Sequence, residues 1–311
     1  METSNAMNIS IIGAGLMGQG IALTCLRAGH RVSVYDPSAD AIASLSGRVA
    51  TGLAALGESA AAIERMLKNL FPSLSLKPCV EHADFVTEAV PEKLELKQRI
   101  FAEVESYVSR ECVLASNTSV IPITKIMSGL VYKDRALGTH WWNPAHLIPL
   151  VEVVKTADTS ELAMDFTVEL LAGIGKTPVR VEKDVPGFIG NRLQHALWRE
   201  AVSLVEHGVC DAAAVDTVIK SSFGRRLAVL GPLENADLVG TDLTQDIHSQ
   251  VLYDLDASDR PSPYLDALVA QGKLGMKSGQ GFYVWQDGDA AKIQRKVISH
   301  LTELQQVLEA D

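Results

Sequence analysis

The sequence predicts an α/β protein in which a doubly wound, mostly parallel sheet is followed by a smaller all-α domain. Short apolar runs of strand length alternate with longer segments of helical spacing up to residue 182, which is typical of a parallel sheet covered by helices. After residue 184 the alternation stops, and glycines and prolines separate a series of helical patterns. We therefore predict a sheet domain over residues 7–185 and a helical domain over residues 186–311.

Composition limits the ligands that this chain is expected to bind. Of its 311 residues 47% are hydrophobic, enough for a sizeable core, and the formal net charge is −10. That charge argues against nucleic acid or an anionic membrane as a partner and leaves a small molecule. The four scattered cysteines lack metal-ligand spacing, so we expect reduced thiols, no metal and a cytoplasmic location. We also expect Met1–Ala6, which precede a second methionine, to lie outside the fold.

The first strand, turn and helix carry the clearest ligand signal. An apolar run over residues 8–12 ends in GAGLMG, whose glycines permit a tight turn, close approach of a pyrophosphate, and close packing of helix on strand. The next strand ends in Asp36, whose carboxylate can accept from a ribose 2′-hydroxyl and would repel a 2′-phosphate. These features predict a Rossmann-type domain that binds NAD rather than NADP. The residues expected to contact the cofactor here are Gly13, Gly15, Leu16, Met17, Gly18 and Asp36.

The remaining elements follow in order. Residues 39–76 are alanine-rich with helical spacing, and we predict helices and no strand there. Further strands are predicted over residues 84–90, 112–115, 136–140 and 177–182, with helices over 94–108 and 161–174. In the second domain helices are predicted over residues 191–207, 211–221, 235–255, 264–270 and 290–308.

The segment from Gly138 to Val154 holds the candidate catalytic pair. His140 ends one apolar run, and Glu152 lies inside a second apolar run twelve residues later. Burying an unpaired carboxylate is costly, so Glu152 needs a partner, and His140 is the nearest candidate. An imidazole held by a buried carboxylate is the usual arrangement of a tuned general base. We therefore expect His140 to accept a proton and Glu152 to orient it.

Several neighbouring residues have two interpretations at this stage. Glu88 lies within an apolar strand and is either an active-site acid or a strand-end residue. Trp141 and Trp142 belong either to the core or to the wall of a ligand pocket. His146 shares the turn with His140 and is either a substrate contact or an ordinary surface residue.

Seven short motifs follow one another along nearly the whole chain. They are GAGLMG with Asp36, EAVPE at 88–92, SNTS at 116–119, HWWNP at 140–144, LVE at 150–152, PGFIGNR at 186–192 and KSGQGFY at 277–283. Together these motifs resemble the 3-hydroxyacyl-CoA dehydrogenase family in both its NAD-binding and its C-terminal helical domain.

The resemblance implies roles for individual residues. It makes His140 the general base and Glu152 its orienting carboxylate, and it assigns Ser119 and Asn191 to the substrate and its reacting oxygen. It also implies a homodimer. The further cofactor-side contacts that it implies are Glu92, Lys97, Asn143 and Lys277.

The substrate has two candidate classes. The family's usual activity implies oxidation of an L-3-hydroxyacyl-CoA to the 3-oxoacyl-CoA, as in fatty acid metabolism. Basic residues on the helical segment where the family binds the nucleotide part of CoA support this interpretation. They are Arg48, Arg65, Lys68 and Lys77.

Two departures from the family pattern favour a free 3-hydroxy acid instead. The usual Phe-Phe is Trp141-Trp142, and residues 223–234 replace a Gly-Tyr-Pro-Met-Gly-Pro type of motif. The replacement is similar to the lambda-crystallin/L-gulonate and carnitine dehydrogenase branches, and Arg225 or Arg226 could hold a free carboxylate. A more distant hypothesis is a protein that binds NAD(H) without turnover.

Overall fold

The computed structural model describes residues 6–308, which form two compact units. One unit extends to Arg192 and takes in the chain again from Leu301, and the other covers Leu193–His300. The domain boundary that we predicted after residue 185 stays a prediction. Of the segment Met1–Ala6, residues 1–5 lie outside the described residues.

An eight-stranded sheet forms the centre of the first unit. Its strands are β1 Asn8–Ile12, β2 Arg31–Tyr35, β3 Leu70–Ser73, β4 Phe85–Glu88, β5 Val113–Ser116, β6 Ala136–Trp141, β7 Leu150–Val154 and β8 Thr177–Val181. The spatial order is β3-β2-β1-β4-β5-β6-β7-β8, and every neighbouring pair is parallel except β6 with β7. The order reverses beside β1, as in doubly wound nucleotide-binding sheets, so the predicted fold class is confirmed.

Helices cover the sheet of the first unit. They are α1 Leu16–Arg27, α2 Ala39–Ala55, α3 Ala60–Leu67, α4 Leu76–Val80, α5 Leu94–Glu105, α6 Ile123–Ile126 and α7 Glu161–Gly173. Three of them begin after a serine whose side chain accepts a hydrogen bond from the first turn, namely Ser38, Ser59 and Ser160. Such caps satisfy N–H groups that would otherwise lack partners and fix where each helix starts.

The prediction that residues 39–76 contain no strand is wrong. Helices α2 and α3 occupy most of the segment, but Leu70–Ser73 pairs in parallel with β2. Leu70 is the buried residue of this edge strand, and Pro72 lies within it. A four-residue edge strand with one buried side chain and a proline has too little alternation for a sequence pattern to reveal it.

The second unit is helical, as predicted. Its described helices are α8 Gly190–Glu206, α9 Ala212–Ser221, α10 Pro232–Val239, α11 Thr241–Val251, α12 Pro263–Ala270 and α13 Asp289–Leu308, of which α8 begins and α13 ends in the first unit. The single helix predicted over residues 235–255 is in fact two helices. Gly240 separates them with a φ of 103°, a conformation that glycine adopts without strain.

The sheet separates two apolar clusters that make up the core of the first unit. On β5, Val113 and Ala115 belong to the cluster shared with α1, α2 and α7, whereas Leu114 belongs to the cluster shared with α5 and α6. Alternate residues therefore point to opposite faces and both faces are buried. This packing leaves the carboxyl edge of the parallel strands as the place where polar side chains can meet.

Candidate active site

The glycine turn after β1 has the shape that a dinucleotide requires. Gly13 has a φ of 111°, and a Cβ there would lie 2.7 Å from the carbonyl oxygen of Ala89. A Cβ on Gly18 would lie 1.8 Å from the oxygen of Gly13, so helix and turn are in direct contact. At Gly15, by contrast, a Cβ would meet no atom within 4 Å, which leaves open space at the start of α1. The backbone N–H groups there can face a pyrophosphate.

Asp36 lies where the cofactor's ribose is expected. Its Oδ2 accepts from the backbone N of Ala14 at 2.8 Å, and its Oδ1 accepts from the backbone N of Ser38 at 2.9 Å. The carboxylate is therefore fixed beside the glycine turn at the end of β2. This placement fits NAD, whose ribose hydroxyl can donate to the remaining lone pairs.

Substituting Gly13 tests the turn. We expect Gly13→Ala to raise the dissociation constant for NAD at least about tenfold, because the positive φ and the close Ala89 oxygen force the backbone to shift. Fluorescence titration of NADH measures this change. Gly47→Ala is the matched control, since a Cβ at Gly47 in α2 meets no atom within 4 Å, and its affinity should equal that of the parent. Equal affinities for both variants would contradict the assignment.

His140 and Glu152 lie directly opposite each other on neighbouring strands. The antiparallel pairing of β6 with β7 sets them in register, so their side chains share one face of the sheet. His140 Nδ1 is 2.7 Å from Glu152 Oε2, and the residues are 4% and 1% exposed. The buried carboxylate thus has the imidazole as its partner.

Glu152 receives further donors from the start of α8. Its Oε1 accepts from the backbone N of Ile189 at 2.8 Å and of Gly190 at 3.0 Å, and its Oε2 lies 3.4 Å from Nε1 of Trp142. Burial raises the pKa of Glu152, but the hydrogen bonds from His140, Gly190 and Ile189 outweigh it and hold the pKa below 4.5. The carboxylate is therefore ionised at neutral pH.

The ionised Glu152 determines which nitrogen of His140 carries the proton. A carboxylate only accepts hydrogen bonds, so Nδ1 must donate, and Nε2 keeps a free lone pair. His140 is one of the residues that line a cavity of about 480 Å³. The imidazole is thus arranged to accept a proton from a bound molecule.

Aromatic rings fix the orientation of this imidazole. The ring centroids of Trp142 and Phe188 lie 5.3 Å and 5.6 Å from that of His140, both tilted relative to it. Trp141 and Trp142 both line the cavity, and Trp141, with only 4% of its surface exposed, also packs in the apolar core. The pocket-wall interpretation therefore applies to both tryptophans, and the core interpretation applies to Trp141 as well.

The turn after β5 is held by Glu92. Its Oε1 accepts from the hydroxyl of Thr118 and from the backbone N of Ser119 at 3.0 Å. Asn191 donates from Nδ2 to the backbone oxygen of Ser119 at 2.9 Å, which ties the start of α8 to the same turn. Burial raises the pKa of Glu92, but the Thr118 hydrogen bond and the Lys97 charge outweigh it and lower the pKa. An ionised Glu92 thus positions Ser119 at the cavity.

Lys97 is fully buried and forms ion pairs with the two carboxylates beside it. Its Nζ is 2.7 Å from Glu88 Oε1 and 3.2 Å from Glu92 Oε2. Glu88 is also fully buried and accepts from the hydroxyl of Ser116 at 2.7 Å. Neither residue lines the cavity. Glu88 is therefore a strand-end residue rather than an active-site acid, and Lys97 contacts the cavity residue Glu92. The cofactor-side contact expected for Lys97 stays a prediction.

The structure brings several of the predicted site residues to one cavity. Those that line the cavity are Met17, Glu92, Ser119, His140, Asn143 and Asn191. Glu152 lies behind His140, and His146 is not among the lining residues. Lys277, Arg225 and Arg226 belong to the second unit, so their predicted contacts stay predictions.

Sequence reasoning missed several residues that shape the site. Phe188 stacks near His140 with a φ of 49°, the indole N–H of Trp142 faces Glu152, and the Thr118 hydroxyl bonds to Glu92. Phe188 belongs to the PGFIGNR motif. The motif identifies the segment, but it does not indicate that backbone N–H groups of the segment donate to Glu152. Such contacts join residues far apart in sequence and have no local pattern.

The lowered pKa of Glu152 predicts a stability change in acid. The unfolded chain has the ordinary carboxyl pKa of 4.5, so between 4.5 and the lower folded pKa it binds more protons than the folded chain. The contribution of Glu152 to the free energy of unfolding is therefore complete above pH 4.5 and disappears as pH falls through the folded pKa. Urea unfolding should show that the free energy of unfolding differs between the parent and Glu152→Gln, and that this difference shrinks from pH 7 to pH 3. A difference that stays constant would contradict the assignment.

Membrane-spanning helices and metal-ligand clusters are both absent from the described residues. None of their helices is long and apolar enough to cross a membrane. No group of three or more histidine, cysteine, aspartate or glutamate side chains in this part of the chain is arranged to hold a metal ion.

Comparison with known proteins places this geometry in a family. The 3-hydroxyacyl-CoA dehydrogenase NAD-binding domain matches residues 8–185, and the C-terminal domain of 3-hydroxyacyl-CoA dehydrogenase matches residues 187–285. Human mitochondrial hydroxyacyl-coenzyme A dehydrogenase is 34% identical over 288 residues, which cover 89% of this chain and 90% of the human protein.

A second kind of relative matches nearly the full length. The 5-formyl-3-hydroxy-2-methylpyridine 4-carboxylate 5-dehydrogenase of Mesorhizobium japonicum is 35% identical over 305 residues, or 97% of this chain and 98% of the relative. A crystal structure described as that 5-dehydrogenase, an NAD+ dependent dismutase, has a TM-score of 0.90 at 34% identity and covers 98% of this chain and 99% of its own. The chain belongs to the 3-hydroxyacyl-CoA dehydrogenase family and is an NAD-dependent oxidoreductase.

Proposed function

We propose that this protein oxidises a small free hydroxy acid with NAD, using His140 as the general base. The observation that carries the chemistry is the His140–Glu152 pair, whose ionised carboxylate leaves the imidazole Nε2 free beside the cavity. NAD supplies the hydride acceptor when it is bound at the glycine turn. The same residues serve the reverse reduction, in which His140 returns the proton.

Each residue at the cavity has a defined part in this proposal. Nε2 of His140 takes the hydroxyl proton as the C–H hydride leaves, and Glu152 stabilises the imidazolium that forms. Ser119 and Asn191 hold the substrate and its reacting oxygen. Residues proposed to contact the cofactor are Gly13, Gly15, Leu16, Met17, Gly18, Asp36, Glu92, Asn143 and Lys277.

The hydrogen bonds of Arg48 support a free acid as the substrate rather than a CoA thioester. Its Nη2 donates to the backbone oxygens of Ala14 at 2.8 Å and Ala41 at 3.0 Å, and its Nη1 donates to Gln19 at 2.9 Å. The guanidinium therefore ties α2 to the glycine turn and is not directed at a CoA phosphate. Lys68, also on the helical segment, lies 3.7 Å from Glu64. At least one of the four basic residues considered for CoA, Arg48, is thus committed to the fold.

The full-length relative supports the same conclusion. Its name gives a pyridine carboxylate as the substrate and mentions no CoA, and the match extends over 97% of this chain. In this chain Trp142 lines the cavity with an indole larger than a phenylalanine ring, which favours a compact substrate.

An L-3-hydroxyacyl-CoA is the second candidate substrate. The family models and the human relative, which is named for hydroxyacyl-coenzyme A, favour it. The proton and hydride chemistry at His140 would be the same. The two candidates therefore differ only in what binds beyond the reacting carbon.

A matched substrate panel distinguishes the candidates. We expect NADH formation with at least one of racemic 3-hydroxybutyrate, carnitine and L-gulonate, and a lower kcat/KM with 3-hydroxybutyryl-CoA. A higher kcat/KM with the CoA ester would reject the free-acid proposal and leave the dehydrogenase intact. No turnover with any compound, despite measurable NAD binding, would instead favour a binding protein.

We also propose that the protein forms a homodimer through its helical unit. Large apolar side chains of that unit are exposed, among them Trp198 at 51%, Leu238 at 73% and Tyr253 at 83%. Exposed apolar surface of this kind is typical of protein interfaces. Light scattering after size exclusion should give twice the chain mass of 33.5 kDa, and the monomer mass would reject the proposal.

A further inference from the structure

A second, smaller cavity lies in the first unit, apart from the catalytic one. It has a volume of about 180 Å³ and shares no lining residue with the cavity at His140. Its walls come from the end of α1, the loop that joins β6 to β7, and the turn after α7. It is large enough for one small ion and too small for a nucleotide.

Three basic side chains line this cavity, one from each of its walls. Arg27 ends α1, His146 lies in the loop between β6 and β7, and Lys176 follows α7. Among the described residues that line the cavity, none is acidic. Three nitrogen bases around an enclosed space, without a lining carboxylate, favour a negatively charged occupant.

Lys176 is the buried member of the set. It is 8% exposed, and its Nζ donates to the backbone oxygens of Ala145 at 2.5 Å and Ile148 at 3.0 Å. An ammonium group has three protons, so one donor is left beyond these two bonds. The Nζ also lies 5.4 Å from the ring centroid of Trp141. No described carboxylate forms a salt bridge with it, although a buried cation is costly without a counter-charge.

Arg27 and His146 can complete the coordination of an anion. The Nε of Arg27 is 3.0 Å from Glu58 Oε1, a bond that leaves the terminal N–H groups of the guanidinium for another acceptor. Burial, with the charges of Lys176 and Arg27, lowers the pKa of His146. Burial, against the opposing effect of Cys25 and with the charge of Arg27, lowers the pKa of Lys176 to about 8. An anion between these groups would compensate the buried charge of Lys176.

We infer that this cavity binds a small oxyanion of the size of inorganic phosphate, held by Arg27, His146 and Lys176. Lys176 also holds the carbonyl groups of the loop that carries Asn143, so an occupant would be coupled to a wall of the catalytic cavity. The inference does not depend on which acid the enzyme oxidises.

Equilibrium dialysis of radiolabelled phosphate against the full-length protein tests the site. Saturating NAD is included throughout, so that the glycine turn cannot bind the label. We expect saturable binding of one phosphate per chain, which the Arg27→Gln/His146→Gln double variant weakens about tenfold or more, as loss of a charge-assisted contact implies. Lys68→Gln removes one exposed positive charge outside the cavity and should bind phosphate like the parent.

Competing salts show what the site recognises. Displacement of phosphate by sulfate, with little displacement by acetate or by chloride at equal ionic strength, supports a site for a tetrahedral oxyanion. Equal displacement by chloride would overturn the inference, because it indicates unspecific screening. Absence of saturable binding in the parent, or unchanged binding in the double variant, would overturn it as well.

Discussion

Replacing His140 with asparagine should reduce kcat by about 10²- to 10⁴-fold, the usual contribution of a positioned general base. The asparagine amide can still donate to Glu152, so the buried carboxylate keeps a partner, but no group remains to accept the substrate proton. The NADH dissociation constant should stay within about twofold, because the glycine turn is untouched. Initial rates of NADH formation and a fluorescence titration measure the two quantities.

The control for this variant is His82→Asn. His82 is exposed and lies outside both cavities, so its loss should leave kcat unchanged. If His140→Asn retained the parent's kcat, His140 would not be the base. If both variants lost activity equally, the change would reflect damage to the fold rather than to the chemistry.

Replacing Glu152 with glutamine should have the second large effect, about a 10³- to 10⁴-fold loss of kcat. The carboxylate accepts from His140 on one oxygen and from the backbone N–H groups of Ile189 and Gly190 on the other. A neutral amide has one oxygen and one NH₂ group, so if its oxygen keeps the backbone donors its NH₂ group faces the imidazole, which must either lose this partner or take the tautomer in which Nε2 is protonated and cannot accept. Either the imidazole loses the partner that fixes its tautomer, or the start of α8 loses its acceptor.

Stability and activity should therefore fall together in Glu152→Gln. Leaving a buried donor without a partner costs about 1–3 kcal/mol, which urea unfolding at pH 7 can measure. Glu64→Gln is the matched control, because Glu64 is exposed and paired only at 3.7 Å with Lys68. Parent-like turnover in Glu152→Gln would show that the carboxylate does not orient the base.

Local patterns in the sequence predicted the parts of the fold that obey local rules. The glycine turn, Asp36 at the end of β2, and the alternation of strands with helices all follow from short-range spacing, and the structure confirms the fold class. The contact between His140 and Glu152 was also predictable, because a carboxylate in an apolar strand needs a nearby partner. Its cause, the antiparallel register of β6 with β7, was not visible in the sequence.

Contacts between distant segments account for what the sequence did not reveal. Arg48 was considered as a ligand for CoA, but its guanidinium bonds to the backbone beside the glycine turn. Lys97 lies fully buried between Glu88 and Glu92, a pairing that the sequence did not indicate. A charged residue on a helix has the same sequence signature whether it faces solvent, a ligand or a buried carboxylate. Only the packing of neighbouring elements decides among these.

Direct hydride transfer within the site of His140 is the central claim, and one isotope experiment tests it. The most active substrate of the panel, deuterated at the carbon that bears the hydroxyl group, would be oxidised by the protein in ordinary water with NAD. We predict that the reduced nicotinamide recovered from the reaction carries the deuterium at C4, as mass spectrometry can show, and that kcat falls on deuteration where hydride transfer is slow. Recovery of the deuterium in water, with none on the nicotinamide, would contradict this account.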